Sequence, residues 1–364
     1  MYEILTDLNI LHEAYLQCKK GVEWKESVQR YGMYELLNIA ELSESLKNHT
    51  YKQKPFYEFD ISERGKHRHI KSLHISDRVL QRALCDYILA PATEKYLIYD
   101  NGASVKGKGI EFTRKRLQIH LEKYYRKYGR DGYVLQIDFS KYFDNIEHSE
   151  VIRMFKKLIL DAETMQLFKD LLATFSNGKG VGIGSQISQI IGIYYPTEID
   201  NYCKIVKACK YYGRYMDNTY ILHHDKEFLK TLLKDIEKIC GRLGIVINKK
   251  KTQIVKITQG FTFLKIRYIY GEHGKIIKIP SRKSITRERR KLKKLKKFLI
   301  AGRITPAEIR EQYKSWRGNI IKYNAYKSVW NTDALYKTLY GGYLWERKRI
   351  QKLTSKQLKA RSGH

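Results

Sequence analysis

Apolar residues along this chain follow two rhythms, a period of two in a few short runs and helical spacing over most of the remainder. The clearest period-two stretch is Tyr212-Gly213-Arg214-Tyr215-Met216-Asp217-Asn218-Thr219-Tyr220-Ile221-Leu222. It predicts a β-hairpin with Asp217 and Asn218 at its tip, because the flanking Val, Ile, Tyr and Thr types favour a pleated surface while Asp and Asn favour turns. A second strand is predicted from Tyr133 to Asp138, with Tyr133, Leu135 and Ile137 on one face, Val134, Gln136 and Asp138 on the other, and Asp138 where the run stops. Residues 56–59 and 67–70 flank a Glu63-Arg64-Gly65-Lys66 turn as arms of another hairpin. Residues 245–247 and 254–255 read as a β-turn-β unit around three lysines, and residues 261–268 as one strand paired with 275–279.

Helical spacing covers residues 1–50, through Leu8, Leu11, Ala14, Tyr15, Leu36, Leu37, Ile39, Leu42 and Leu46. Asp77 opens a helix carrying Val79, Leu80, Ala83, Leu84 and Ile88, and residues 112–125 form the next. Val151, Ile152, Phe155, Leu158 and Ile159 mark a further stripe. Ser185 is a candidate N-cap for a helix running towards Ile199, and Asp225 caps one that Gly244 ends. Thr305-Pro306-Ala307-Glu308 combines an N-cap, an N1 proline and a capping-box glutamate. The mixture predicts an α+β fold followed by a helical, basic C-terminal module.

Charge narrows the class of partner. Seventy Lys and Arg stand against 38 Asp and Glu among 364 residues, a formal charge of +32 spread over most of the chain. A polyphosphate is the simplest partner for such a field. The 29 Tyr and 12 Phe add faces on which bases can stack, although most such rings serve cores and strands. Cys18, Cys85, Cys203, Cys209 and Cys240 are scattered without a metal-ligand or disulfide spacing, which predicts a reducing interior. No window approaches 18 uninterrupted apolar residues, so no membrane partner is expected.

Two acidic strand ends far apart in sequence, Asp138 and Asp217, invite a shared metal site. Nucleotidyl transfer uses two divalent ions roughly 3.5–4 Å apart, and magnesium takes one or two carboxylates plus substrate phosphates. Asp138, Asp217 and the backbone carbonyl of Phe139 would suffice. Lys66 and Arg68, with Lys106 and Lys108 in the Gly-rich loop 99–109, would neutralise a triphosphate. Arg287, Arg290, Lys293 and Lys294 on a basic helix would track a duplex.

The order of motifs resembles a reverse transcriptase over roughly residues 55–330. In that order stand Arg68 with Ile70, Lys106-Gly107-Lys108-Gly109, Asp138 with Phe143, Gly184 with Ser188-Gln189, Tyr215-Met216-Asp217, Leu243-Gly244 with Asn248 and Lys251-Thr252, and Phe263-Leu264. The resemblance implies a right-hand polymerase. Residues 1–50 would be an N-terminal helical extension, 51–130 fingers, 131–280 palm with part of the fingers, 281–345 a basic helical thumb and 346–364 a basic tail. It implies Asp138 and Asp217 as ligands of two Mg2+ ions, with Mn2+ as a substitute, and Asn218 and Lys251 beside them, the lysine towards pyrophosphate. Phe143 would stand against a ribose 2′-hydroxyl, Ile183, Gly184 and Gln189 would lie under the template base and incoming nucleotide, and Phe263-Leu264 would grip the primer. Trp316-Arg317 is similar to the thumb of bacterial enzymes of this kind. The Ile183 to Gln189 segment resembles reverse transcriptases of diversity-generating retroelements, related to those of group II introns, and similar bacterial or phage enzymes act in antiviral defence.

The family usually carries two aspartates at the hairpin tip, and Asn218 replaces the second, which removes one negative charge from the site. Two expectations result. The first is an RNA-directed DNA polymerase, error-prone and cytoplasmic, copying a dedicated RNA with a DNA or RNA primer and dNTPs, and accompanied by a structured noncoding RNA and an accessory protein. The second is a polymerase-fold RNA-binding protein with reduced or no catalysis.

Overall fold

A computed structural model describes residues 1–63 and 66–341 of the chain, and the basic tail expected at 346–364 lies outside them. Among the described residues are nine strands: β1 (Tyr57–Glu63), β2 (Lys66–Ser72), β3 (Tyr133–Asp138), β4 (Tyr212–Tyr215), β5 (Asn218–His223), β6 (Gln253–Lys256), β7 (Phe261–Phe263), β8 (Ile266–Tyr270) and β9 (Ile276–Pro280). They form a β1-β2 hairpin, a four-stranded sheet ordered β4-β5-β3-β6, and a three-stranded sheet ordered β7-β8-β9. With helices before, between and after the sheets, the class is the expected α+β.

The described residues divide into two compact units, residues 1–128 with 132–254, and residues 129–131 with 255–341. In the first unit one continuous core runs from Leu5, Leu11, Tyr15, Leu42 and Leu46 through Val79 and Leu84 to Leu135, Phe168 and Ile221. The N-terminal helices therefore share a core with the rest of this unit, and the Tyr2 amide donates to Asp161 Oδ2 at 3.2 Å. β3 and β5 occupy the middle of their sheet, and both are buried on both faces over most of their length. That explains runs rich in Val, Leu, Ile and Tyr at alternating and intervening positions. The register sets Asp138 opposite Asn218, with Ile137 opposite Thr219.

Several local expectations shift. Asp77 is the third residue of its helix, Ile75–Leu84, whose N-cap is His74. Asp77 is instead buried and accepts from Tyr51 Oη (2.7 Å) and the Lys54 amide (3.2 Å). The helix begun by Ser185 stops at Tyr194, because Pro196 opens a separate turn, Thr197–Asn201. Residues 245–247 form no strand beyond a bridge from Ile247 to Phe139. The expected single strand 261–268 is a hairpin, β7 and β8, folded at Leu264 and Lys265 with φ of 46° and 70°. No glycine marks that turn, and the stacked rings of Phe261 and Tyr268 at 5.8 Å show what closes it.

In the second unit β7–β9 accompany three helices, Arg282–Ile300, Pro306–Ile320 and Tyr326–Tyr340. Leu292, Leu295, Ile309, Tyr313 and Tyr336 form the helical core. Thr305 and Glu308 make the expected capping box.

Candidate active site

Strand β3 delivers Asp138 at its C-terminal end, in the middle of the first unit's sheet, and the β4–β5 hairpin delivers Asp217 next to it. Tyr215 pairs with Asn218, so the two-residue tip is Met216–Asp217, one position earlier than expected, and Asn218 is the first residue of β5. Met216 adopts φ 53°, an unusual conformation for a side chain of its size. Two groups hold that turn. The Phe139 amide donates to the Asp217 carbonyl at 3.2 Å, and Arg214 Nη1 donates to the Met216 carbonyl at 3.2 Å. Arg214 is itself fully buried and bound to Asp200 through Nε (2.9 and 3.0 Å) and Nη2 (2.6 Å). Its Nη2 also reaches the Ile193 carbonyl at 2.7 Å.

Asp138 is well supplied with donors. Lys251 Nζ donates to Oδ1 (2.7 Å) and Oδ2 (2.9 Å), and Asn248 Nδ2 donates to Oδ1 (3.1 Å). The Asn248 amide also meets the Asp138 carbonyl at 2.8 Å, and the Asp138 amide reaches Thr252 Oγ1 at 3.4 Å. Asn248 and Thr252 thus join the site. The signal that finds them is the turn chemistry of Asn248, whose Oδ1 accepts from the Lys250 amide at 3.2 Å.

Asp217 is poorer in donors. Burial, then the charge of Asp138, pushes its carboxyl above the ordinary range, and the Asn218 amide and Lys251 offset only part of this. Asn218 Nδ2 donates to Asp217 Oδ1 at 2.8 Å. Two carboxylates that repel each other make a pair of hard oxygen donors, to which the expected ligand set would add the Phe139 carbonyl and the Asn218 amide oxygen. A divalent cation fits this set, because its charge relieves the cost that raises the Asp217 carboxyl. No group of three or more His, Cys, Asp or Glu gathers among the described residues, so the acids of this site are the pair alone.

Phe143, on the short turn Phe143–Asn145, is half-buried behind the hairpin tip. A methyl group at Gly192 would lie 3.0 Å from the Phe143 ring and 3.6 Å from Met216 Sδ, so glycine is what lets ring, sulfur and helix converge. One turn earlier on the same helix, Gln186–Tyr194, is Gln189, whose Oε1 accepts from Ser104 Oγ at 3.2 Å. Lys106, Gly184 and Gln189 line one cavity of about 1060 Å3 together with Arg78 and Arg82. Gly184 has φ 119°, and Ile183 beside it is 37 % exposed. The helix Gln186–Tyr194 therefore connects the carboxylate pair to this cavity.

Other expected residues stand apart. Lys108 does not extend to a ligand: its ammonium donates to the Tyr99 carbonyl at 2.8 Å and lies 4.9 and 5.1 Å from the Tyr99 and Phe112 rings. Lys66 and Arg68 are on β2, and their side chains lie outside the described residues. In the second unit Phe263 is buried on β7 and Leu264 begins the β7–β8 turn. Arg287, Arg290, Lys293 and Lys294 are exposed on the helix Arg282–Ile300. Trp316 and Arg317 do not share that exposed face. Trp316 packs against the helical core and stacks on Tyr313 at 5.6 Å, while Arg317 Nε pairs with Asp333 at 3.0 and 3.1 Å.

Telomerase from Candida albicans, solved with a fragment of telomeric RNA, is similar at 12% identity and a TM-score of 0.46, over 79% of this chain and 59% of that one. Apo telomerase from Candida tropicalis is similar at 14% identity and a TM-score of 0.44, over 64% of this chain and 58% of that one. The chain thus spans less than two thirds of each telomerase chain. No curated protein matches its sequence. The profile of the reverse transcriptase (RNA-dependent DNA polymerase) family matches residues 47–268, more than half of the chain and both carboxylates included, and the chain belongs to that family.

Proposed function

We propose that this protein is an RNA-directed DNA polymerase that makes cDNA from a dedicated RNA template, in a diversity-generating or phage-defence setting in the cytoplasm of a bacterial host. The observation that carries this reading is the pairing of Asp138 and Asp217 at adjacent strand ends, with the Asp217 carboxyl raised by burial and by its neighbour. Two Mg2+ ions, or Mn2+ in their place, would when bound activate the primer 3′-oxygen and stabilise the leaving pyrophosphate.

The chain's own residues supply the rest. Asp138, Asp217, the Phe139 carbonyl and the Asn218 amide oxygen hold the ions. Lys251 neutralises Asp138, and its side chain, 56% exposed, is available to incoming phosphates. Phe143 backs the hairpin tip and limits the room beside the ribose. Lys106, Gly184 and Gln189 form a wall for template and nucleotide, and the exposed cations of the helix Arg282–Ile300 serve a thumb that tracks the duplex through its phosphates. The fingers would be residues 51–130, and Phe263-Leu264 would hold the primer. Ile183 offers no hydrogen bond where a polar side chain could, which favours error-prone copying. One missing hydrogen bond is worth about 0.5–1.5 kcal/mol, or roughly two- to tenfold in selectivity.

Asn218 favours a second reading, an RNA-binding protein with little catalysis, since its amide donates to Asp217 instead of adding a carboxylate. Primer extension on an RNA template in Mg2+ or Mn2+ decides between them. The native chain should incorporate dNTPs, and Asp138→Ala with Asp217→Ala should lose about 10³-fold or more while keeping RNA affinity. Extension by the double variant, or none by the native chain in either metal, removes the polymerase reading. Sequencing the cDNA should show fewer errors for Ile183→Gln than for the native chain.

A further inference from the structure

The helix Tyr326–Tyr340 uses one face for packing and leaves the other uncovered. Val329, Thr332 and Tyr336 are buried, and Val329 and Tyr336 contribute to the apolar clusters of this unit. Tyr326, Trp330, Ala334 and Lys337 stand at i, i+4, i+8 and i+11 along a second stripe. Tyr326 is 79% exposed and Trp330 64% exposed, which is uncommon for rings of this size that contribute nothing to a core. Their planes are near parallel, at 27°, with centroids 6.3 Å apart. These rings line a cavity of about 920 Å3, to which Arg317 of the preceding helix and Ile321 just past its end also contribute. Ala334 keeps its middle open.

The charges of this groove suit an anion. Among the described residues its one acid, Asp333, is committed to Arg317 and to Tyr313 Oη at 2.6 Å, so no unpaired carboxylate of theirs faces the opening. Lys337 lines the groove and is exposed. A chain with formal charge +32 repels its own copy over an uncovered surface and attracts polyphosphate. Aromatic faces beside cations are what a single strand needs, because bases stack on the rings while the cations meet the backbone.

We propose that the groove between the helices Pro306–Ile320 and Tyr326–Tyr340 binds unpaired nucleobases of single-stranded RNA, with Trp330 and Tyr326 as the stacking platform and Lys337 as a phosphate contact. The site lies apart from the carboxylate pair in composition and in chain, and it rests on the polymerase reading only for the class of ligand.

The test uses the full chain and a fluorescently labelled 12-nucleotide poly(A) RNA, titrated at several salt concentrations. Trp330→Ala should weaken binding about 5- to 150-fold, the equivalent of about 1–3 kcal/mol for one stacked base. Trp330→Phe should retain most of the affinity, and Lys337→Gln should reduce the salt slope by about one. Extension of a short blunt primer–template should stay within about twofold for all three, since the substituted side chains are exposed and need not disturb folding. Unchanged single-strand affinity in Trp330→Ala overturns the proposal, and a lower molar mass by light scattering in that case assigns the groove to a second copy of the chain. Equal loss with Trp330→Phe and Trp330→Ala also overturns it, because stacking tolerates the smaller ring. Failure of this site leaves primer extension intact, whereas failure of the polymerase reading abolishes extension and leaves the poly(A) titration interpretable.

Discussion

One hairpin carries two buried charge clusters that are treated in opposite ways. Behind the β4–β5 turn, Arg214 and Asp200 are wholly buried and saturate each other, with the remaining guanidinium donors spent on the Ile193 and Met216 carbonyls. Burial alone would lower the guanidinium's pKa, but Asp200 and its hydrogen bonds push it up instead, so the pair stays ionic. In front of the turn, Asp217 keeps a raised carboxyl beside a second carboxylate, although its own backbone amide, the Asn218 side chain and a share of Lys251 pull the other way. The first cluster is complete without a ligand. The second leaves two acids facing each other, a repulsion that a cation would relieve, and the contrast separates a charge that shapes the fold from one suited to chemistry.

Breaking the rear cluster should have the largest effect on stability. Arg214→Ala leaves Asp200 buried and unpaired and should cost about 3–5 kcal/mol in urea unfolding. It also frees the Met216 carbonyl, so whatever protein remains folded should polymerise poorly. A cost below about 1 kcal/mol would show that the pair is solvated and the comparison misplaced.

Adding charge to the front cluster sharpens the contrast. Asn218→Asp puts a carboxylate opposite Asp138 in register, and it should raise Mg2+-dependent extension roughly tenfold while lowering the melting temperature of the metal-free protein. No gain in either metal would place Asn218 outside the ligand set.

The smallest expected effect is a gain in stability. The folded carboxyl of Asp217 lies above its unfolded value, so its contribution to stability is complete below the unfolded carboxylate pKa and is lost as pH rises through the folded one. Asp217→Asn removes that loss. It should raise stability at neutral pH by about 0.5–2 kcal/mol, give no gain below about pH 4, and abolish extension throughout. A destabilised Asp217→Asn protein at neutral pH would mean that Asp217 is already satisfied without a cation.

Much of this arrangement is legible in the sequence. Asp138 closes a run of alternating and intervening apolar residues, and Ser185, Asp225 and Thr305 sit where caps are observed, because strand periodicity and capping are local properties. The misplacements have two causes, turns without glycine and partners distant in sequence. Met216, Leu264 and Lys265 take positive φ without glycine, so nothing in their identity announces a turn. Asp77, suited to a cap, is claimed by Tyr51 from 26 residues away. Trp316 and Arg317 look like a nucleic-acid contact in a basic helix, yet Tyr313 and Asp333 draw them into the unit's interior.

By itself, then, the sequence determined the elements, the basic field and the two acids at strand ends, all of which come from nearest-neighbour periodicity and net charge. The tertiary structure decided which charges are neutralised and which are left in need. Arg214 and Asp200 are 14 residues apart and Asp138 and Lys251 are 113 apart. Whether a buried carboxylate finds a donor depends on what packing brings within about 3 Å of it, and that distance is a property of the folded chain alone.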